Sequence, residues 1–358
     1  ETKEISCGPK PSVNLLFESI ANAKKNKSIG IILSGTGSDG SRGIRAIKSE
    51  DGFTIAQQPM NAKYDGMPNS AINTGNIDLI LDTEVMITEI IEILNYRGKN
   101  INQNPIQNQN QVYTSIIKKI YTVKKVDFSL YKNSTIQRRI ERRMAALKIV
   151  NMSNYYKYLL ENAEEADLLF QDILINVTSF FRDEEAFASL KEILKKAIEE
   201  KKDKNIRIWI PGCSTGEEPY SIAIILSELL ENKVADYKIQ IFATDLDESV
   251  TSICRKARYP EAAIINVDRN IVKKYFTVKN DEYEVIKPIR DMCIFSRHNI
   301  ISDPAFMRLD LISCRNMLIY FTTELQDRIF PMFHYALNDT GILFLGKSES
   351  IGRYNYQF

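Results

Sequence analysis

A short segment between a predicted strand and a predicted helix carries the residue types best suited to chemistry. It reads IPGCSTGEEPYS over residues 210–221, with glycines at 212 and 216 followed by the adjacent carboxylates Glu217 and Glu218. Small residues in such a turn let a ligand approach the backbone, and the helix that follows begins with unpaired N–H groups. Two carboxylates here favour a cationic ligand over a phosphate. The segment therefore indicates a binding site for a positively charged molecule.

A second acidic residue lies at the end of the next predicted strand. This strand, IQIFATD, ends in Asp245, and an acid at a strand end can accept hydrogen bonds from two ribose hydroxyls. A nucleoside that carries a positive group, such as S-adenosylmethionine, fits both features. A plain strand–helix turn, in which acids complement the helix dipole, explains the same residues equally well. Spacing alone leaves both interpretations open.

Composition excludes several other classes of protein. The 358 residues include 47 basic and 46 acidic side chains, so overall charge does not drive this chain onto nucleic acid or anionic lipid. Its apolar runs are shorter than the ~20 residues that span a bilayer, so we expect no membrane insertion. Two histidines and five scattered cysteines, without a CxxC pair, predict neither a metal site nor a disulfide framework. Unpaired cysteines fit a reducing cytoplasm.

The elements that position these residues follow an α/β pattern broken by one helical stretch. Strand and helix signals alternate over residues 1–95 and again over residues 203–358, whereas residues 113–202 have the period of helices. Residues 96–112 are rich in Asn and Gln, which predicts a linker. The sequence thus predicts two α/β regions separated by a linker and a helical region.

From about Asp127 to Phe358 the sequence resembles the chemotaxis-receptor glutamate methyltransferases, the CheR family. The segments that carry the resemblance are YKNSTIQRRIERRMAAL, ILINVTSFFRDEEAF, IPGCSTGEEPYSIA, FATDLDESVTSICRKARY, SRHNI and ISCRNMLIYF. The resemblance implies a doubly wound class I methyltransferase sheet, a helical N-terminal subdomain, and a small β-subdomain inserted at about 259–297. It also implies S-adenosylmethionine as cofactor, S-adenosylhomocysteine as product, and glutamate side chains of chemoreceptors or related signalling proteins as substrate.

The same resemblance assigns roles to particular residues. Glu217 or Glu218 is expected to hold the methionine amino group of the cofactor, and Asp245 its ribose. Tyr320 is expected near the transferred methyl group and, with Arg182, is a candidate catalytic residue. Arg182 is also expected to contact the cofactor. Further cofactor contacts are expected from Asn176, Thr178, Asn299, Ile300, Asn316 and Met317.

A basic segment is a candidate for substrate docking. STIQRRIERRMAALK predicts a helix that carries Arg138, Arg139, Arg142 and Arg143 within two turns. Most such runs of charge are solvated helix faces. If the substrate is an acidic receptor helix, these arginines are expected to bind it, because opposite charges steer association.

The first region resembles the C-terminal part of the chemotaxis-receptor methylesterases, the CheB family, through LSGTGSDG, GFTIAQ and AKYDGMPNSAI. Asp39 matches the aspartate of that family's Ser–His–Asp triad; without the resemblance, a turn aspartate between glycines would be favoured. No histidine precedes His298, so we expect this truncated esterase region to be inactive. The order of the two regions resembles fused methylesterase–methyltransferase proteins, which predicts a larger multidomain parent chain.

The sequence is therefore interpreted as a cytoplasmic protein-glutamate O-methyltransferase. Two alternatives remain: a methyltransferase with a small-molecule acceptor, and a non-catalytic signalling scaffold that retains cofactor binding.

Overall fold

The computed structural model describes residues 12–99, 106–279, 282–355 and 358, which belong to two compact units. The first unit comprises Glu1–Lys125 and Ser134–Ile175, and the second comprises Val126–Asn133 and Asn176–Phe358. Residues 96–112, the predicted linker, overlap the ends of two helices. Their middle, residues 100–105, lies outside the described residues.

The described part of the first unit contains a three-stranded parallel sheet and eight α-helices. The strands follow the order β1-β2-β3. Their bounds are β1 (Ile29–Ile32), β2 (Phe53–Gln57) and β3 (Leu79–Leu81). The helices are α1 (Val13–Lys24), α2 (Ser41–Ser49), α3 (Gly66–Ile72), α4 (Thr83–Lys99), α5 (Ile106–Lys124), α6 (Asn133–Ala146), α7 (Met152–Glu161) and α8 (Ala163–Ile173).

Apolar residues cover both faces of this small sheet. Phe17 of α1 and Ile44 of α2 form one buried cluster with Ile32 of β1. Phe53 of β2 and Met86 of α4 belong to a second cluster. The central strand β2, FTIAQ, is buried along its whole length and carries no charged residue, as is typical of parallel strands covered on both faces.

The second unit is built on a five-stranded parallel sheet with the order β11-β10-β4-β5-β9. The strands of this sheet are β4 (Asn205–Pro211), β5 (Lys238–Asp245), β9 (Cys293–Arg297), β10 (Leu309–Cys314) and β11 (Leu337–Leu345). The chain leaves β4 towards β5 on one side and later returns to β10 on the other. This reversal beside β4 is the topological switch point at which doubly wound sheets bind ligands.

Helices and a second sheet complete this unit. The helices are α9 (Glu184–Glu200), α10 (Glu217–Leu230), α11 (Glu248–Lys256), α12 (Glu261–Ile264), α13 (Arg269–Tyr275), α14 (Lys287–Arg290) and α15 (Thr323–Ala336). The small antiparallel sheet has the order β6-β8-β7, with β6 (Arg258–Pro260), β7 (Phe276–Lys279) and β8 (Glu282–Val285).

Two elements lie elsewhere than the sequence pattern placed them. Helix α9 falls within residues 113–202, predicted as a helical subdomain, but belongs to the second unit. Strand β9 falls within the insert expected at about 259–297, but it pairs with β5 in the main sheet. The inserted sheet itself ends at Val285.

Candidate active site

The turn between β4 and α10 is shaped by its two glycines. Gly212 has φ 69° and Gly216 has φ 94°, a left-handed conformation that side chains with a Cβ disfavour. A Cβ on Gly212 would lie 2.8 Å from the sulfur of Met317, so the turn also packs closely on the segment after β10. The hydroxyl of Ser214 in this turn is buried and has no hydrogen-bond partner among the described residues. A buried polar atom of this kind fits a ligand-binding turn.

Asp245, at the end of β5, is fixed against this turn. Its carboxylate accepts hydrogen bonds from the backbone N–H groups of Ser214 (2.8 Å) and Asp247 (3.0 Å), and it is only 7% exposed. Burial raises the pKa of Asp245 to about 6, although these backbone donors act in the opposite direction. An acceptor group is therefore held at the carboxyl edge of the sheet beside the switch point.

The segment before α9 lies near the same edge. The Asn176 side-chain amide donates to Asp247 Oδ2 at 3.1 Å, and the Arg182 guanidinium donates to the carbonyl oxygen of Val177 at 3.2 Å. The backbone N–H of Phe181 donates to Ser221 of α10, which attaches the segment to that helix. Thr178 is half-buried within it.

The two adjacent glutamates of α10 have different surroundings. Glu217 is 1% exposed and accepts a hydrogen bond from the Thr215 hydroxyl at 2.6 Å. Glu218 instead reaches β10, where Ser313 donates to it at 2.7 Å and Arg315 Nη1 lies 3.3 Å away. Burial raises the pKa of Glu218, and Arg315 opposes that effect. Glu218 is thus linked to the end of β10 through Ser313 and Arg315.

The segment after β10 is held by a residue that sequence reasoning missed. The Glu349 carboxylate accepts hydrogen bonds from the backbone N–H groups of Asn316 (2.8 Å), Met317 (2.9 Å) and Leu318 (2.7 Å). Asn316 has φ 60°, and this network holds it in that conformation. The sequence alone does not predict this role, because the partners of Glu349 are backbone groups more than 30 residues away.

The segment after β9 is attached to β5. The backbone N–H of His298 donates to the carbonyl oxygen of Asp245 at 2.9 Å. The Asn299 side chain accepts from the N–H of Ile301 at 3.0 Å, and the Asn299 N–H donates to Asp303. Ile300 between them is half-buried.

Tyr320 lies six residues beyond β10 and is half-buried. Its carbonyl oxygen accepts a hydrogen bond from the backbone N–H of Lys132 at 2.8 Å. Phe321 next to it forms a bridge with Tyr131, and their rings meet edge to face with centroids 4.9 Å apart. The segment Val126–Asn133 is thereby joined to the second unit.

The carboxyl edge of the five-stranded sheet carries Asp245 at the end of β5, Glu217 and Glu218 at the start of α10, and Asn316 and Met317 directly after β10. Hydrogen bonds connect the β4–α10 turn with the end of β5, and helix α10 with the end of β10 and with the segment before α9. Within the described ranges no group of three or more side chains suited to a metal ion occurs. No described helix is both long and apolar enough to span a bilayer.

The four arginines predicted for docking lie in the first unit, and two of them are buried. Arg142 makes a two-pronged ion pair with Asp78, with N–O distances of 2.8 and 2.6 Å, and its side chain is 4% exposed. The Arg139 side chain is 2% exposed and pairs with Asp51 at 2.7 Å. Because both guanidinium groups are enclosed by their partners, these two residues do not form part of a docking surface.

The other two arginines of α6 remain closer to solvent. Arg138 is 45% exposed and also pairs with Asp51, at 2.8 Å. Arg143 is 15% exposed and donates to both oxygens of Glu165, at 2.9 and 2.7 Å. The basic helix is thus largely neutralised by acids of its own unit.

Asp39 has an identifiable structural role. Its carboxylate accepts hydrogen bonds from the backbone N–H groups of Val13 (2.8 Å), Asn14 (3.0 Å) and Gly40 (2.9 Å). The aspartate therefore caps the N-terminus of α1.

A parallel doubly wound sheet with acidic residues at its switch point fits the class of S-adenosylmethionine-dependent methyltransferases. Residues 176–358 match the family described as CheR methyltransferase, SAM binding domain, and residues 111–174 match CheR methyltransferase, all-alpha domain. This chain belongs to the CheR methyltransferase family, the protein-glutamate methyltransferases of chemotaxis, and S-adenosylmethionine is its cofactor. Residues 2–90 match CheB methylesterase, so an esterase fragment precedes the methyltransferase.

Relatives agree with this assignment. A chemotaxis protein methyltransferase of Listeria monocytogenes is 33% identical over 63% of this chain and 85% of its own length. One from Borreliella burgdorferi is 31% identical over 72% of this chain and 96% of its own length. An uncharacterised 104.1 kDa protein of Rhodobacter capsulatus is 34% identical over 95% of this chain, which spans only 38% of that protein.

Proposed function

We propose that the second unit binds S-adenosylmethionine at the carboxyl edge of β4, β5 and β10 and methylates glutamate side chains of chemoreceptors through the residues described above. The observation that carries this proposal is the buried Asp245 carboxylate, fixed by the backbone of the glycine turn. Its position beside the switch point suits two hydrogen bonds from ribose hydroxyls. Asn299, Ile300, Asn316 and Met317 then line the adenine and the reacting end of the cofactor.

Glu218 is the better candidate for the amino group of the cofactor. It points to the end of β10, and Arg182 is close enough to influence its ionisation. Glu217 instead faces Thr215 and lies near Tyr259. Asn176, Thr178 and Arg182 approach the same amino-acid end from the segment before α9.

The proposed reaction needs alignment more than acid–base catalysis. When bound, the cofactor supplies a methyl group on a positively charged sulfur. The substrate carboxylate is already ionised near pH 7, so no protein group has to remove a proton from it. The chain's contribution is to position the two reactants in line and to exclude water. Tyr320 and Arg182 are proposed to border the transferred methyl group.

The receptor is proposed to approach α6 through Arg138 with Arg143 beside it. These are the α6 arginines whose side chains retain some exposure. Asp51 and Glu165 partly compensate the charge of these arginines. They are therefore proposed to contribute to docking as exposed charges at the edge of an interface do, through the rate of association.

Residues 1–95 are proposed to have no esterase activity of their own. They contain no histidine to serve the triad, and backbone donors already occupy the carboxylate of Asp39. The alignment with the 104.1 kDa protein supports a longer parent chain with further domains. The cysteines in the described part of the chain are free thiols, which fits a reducing cytoplasm.

Calorimetric titration with S-adenosylhomocysteine is the direct test of the cofactor site. We expect saturable binding with one molecule per chain. A chain that is folded by circular dichroism but shows no heat of binding at high micromolar ligand would refute the proposal.

A further inference from the structure

Arg315 directly follows β10, and its guanidinium group lies where three segments of the site meet. Its side chain is fully buried, with 0% exposure. Nη1 lies 3.3 Å from Glu218, and Nη2 donates to Asp183 at 2.7 Å and to the carbonyl oxygen of Arg182 at 3.0 Å. One side chain therefore joins the end of β10 to the first turn of α10 and to the segment before α9.

Two aromatic rings hold the guanidinium group in this place. Its central carbon lies 5.2 Å from the ring centroid of Phe187 on α9 and 4.8 Å from that of Phe344 on β11. A planar guanidinium can contact both rings and still donate hydrogen bonds in several directions. A lysine ammonium would supply the charge but could not span the same partners.

We infer that Arg315 is a positioning residue for the cofactor: it holds the Glu218 carboxylate and the Arg182 segment together so that both meet the amino-acid end of S-adenosylmethionine. The inference rests on the proposed function, because it takes Glu218 as the ligand of the cofactor's amino group. Arg315 itself does not have to touch the cofactor.

The charges around Glu218 give this role a measurable consequence. Burial raises the pKa of Glu218, whereas Arg315, the Ser313 hydroxyl and Arg182 lower it. The thiols of Cys213 and Cys314 also face this carboxylate.

Removal of Arg315 takes away the cation that lowers the pKa of Glu218, so this pKa rises further. A larger fraction of Glu218 is then protonated near neutral pH, and a protonated carboxyl holds an ammonium group poorly. Asp183 keeps a cation nearby, because Lys347 lies 3.5 Å from it.

The test is calorimetry of S-adenosylhomocysteine binding to the full chain at several pH values. Arg315→Met removes the charge but keeps an apolar side chain between the two rings. Relative to wild type at the same pH, we expect its affinity to be at least about tenfold lower near pH 6 and to approach the wild-type value towards pH 8. Arg315→Lys should follow the pH profile of wild type with a moderate loss of affinity.

Arg207→Met is the matched control. The Arg207 guanidinium also lies over an aromatic ring, 4.9 Å from the centroid of Phe242, but on the early part of β4. This variant should bind like wild type at every pH. Arg315→Met that binds with wild-type affinity at every pH would overturn the inference.

A second measurement decides the case in which Arg315→Met does not fold. In Arg315→Met, the buried Glu218 carboxylate has lost its cation. Adding Glu218→Gln removes that carboxylate, so the double variant should fold and melt at a higher temperature than Arg315→Met alone. A double variant that melts no higher contradicts the coupling. If wild type itself does not bind the ligand, the proposed function fails, whereas the melting comparison still tests the Arg315–Glu218 link.

Discussion

At the level of single residues, Asp245 combines burial with a fixed geometry. Its oxygens are aligned by backbone N–H groups, and its pKa is raised to about 6 by burial. A carboxyl group with a raised folded-state pKa binds its proton more tightly in the folded chain than in the unfolded chain. Between about pH 4 and 6 it therefore makes the free energy of unfolding fall as pH rises. A buried acceptor of this kind is stabilised when ribose hydroxyls donate hydrogen bonds to it.

Asp245→Asn should weaken binding of S-adenosylhomocysteine by about 10- to 100-fold, because two hydrogen bonds to a charged acceptor become weaker. Wild-type affinity should increase from pH 5 to about pH 7 as Asp245 ionises, and the affinity of the variant should not. Calorimetry across this range provides the measurement. Asp236→Asn is the control, since Asp236 is 55% exposed and pairs with Lys204. Equal affinities of Asp245→Asn and wild type would exclude the ribose role.

Tyr320 tests the reacting end of the site. Tyr320→Phe should lower kcat by about tenfold or more, as expected for loss of a group that contacts the transition state, and leave affinity for S-adenosylhomocysteine unchanged. Initial rates of methyl transfer and calorimetry separate the two quantities. Tyr335→Phe on α15 is the control, with a side chain that is 78% exposed. A rate unaffected by Tyr320→Phe would place the methyl group elsewhere.

At the level of elements, a buried ion-pair network connects β3, α2, α6 and α8 within the first unit. Asp78, directly before β3, accepts from Arg142 and from Lys48 at 2.8 Å, and Lys48 also contacts Asp172 at 3.1 Å. The backbone N–H of Thr54 donates to the same Asp78 carboxylate at 2.8 Å. Esterase-like and helical elements thus share charged groups that are shielded from water.

Asp78→Asn should lower the free energy of unfolding of the first unit by about 3 kcal/mol, because it leaves Arg142 buried without its anion. Arg142 and Lys48 hold the pKa of Asp78 well below its usual range, although burial acts against them. The stabilisation is therefore complete at neutral pH and declines only below about pH 4, where the unfolded carboxyl begins to protonate.

Hydrogen exchange of peptides from β2 and α6 measures this loss. Glu92→Gln is the matched control, since Glu92 forms an exposed pair with Lys148. Unchanged protection in Asp78→Asn would show that the network does not stabilise the unit.

Arg138 provides the test of docking on α6. Arg138→Gln should raise KM for an acidic receptor fragment by about two- to fivefold without changing kcat, as loss of one rim charge does. The difference should vanish at high salt, where surface charges are screened. Arg328→Gln, which removes an arginine 61% exposed on α15, is the control. Equal KM values for Arg138→Gln and wild type at low salt would remove α6 from the docking surface.

The sequence predicts the elements of the site better than the contacts between them. Strands β4 and β5 are apolar runs that end in a glycine turn and in Asp245, so their place in a parallel sheet follows from local pattern. The Arg315–Glu218 contact joins residues 97 positions apart, and Arg142–Asp78 joins residues 64 apart. Neither periodicity nor the run of arginines carries information on such pairs, so the sequence does not show that Arg139 and Arg142 are buried in ion pairs.

At the level of the whole molecule, a net charge of +1 conceals two different uses of charge. In the first unit, the arginines of α6 are compensated by neighbouring carboxylates. In the second unit, Asp245 and Glu218 lie at the edge where a cationic cofactor is proposed to bind. A near-neutral composition therefore does not imply a surface without electrostatic features.

The proposed reaction forms a particular chemical bond in the product, a glutamyl methyl ester. Incubation of the chain with methyl-labelled S-adenosylmethionine and chemoreceptor fragments should transfer label to protein, and mild alkali should release it as methanol, because a glutamyl methyl ester is hydrolysed under these conditions. Label that is transferred but stays on the protein after alkali treatment would show N-methylation and contradict the account.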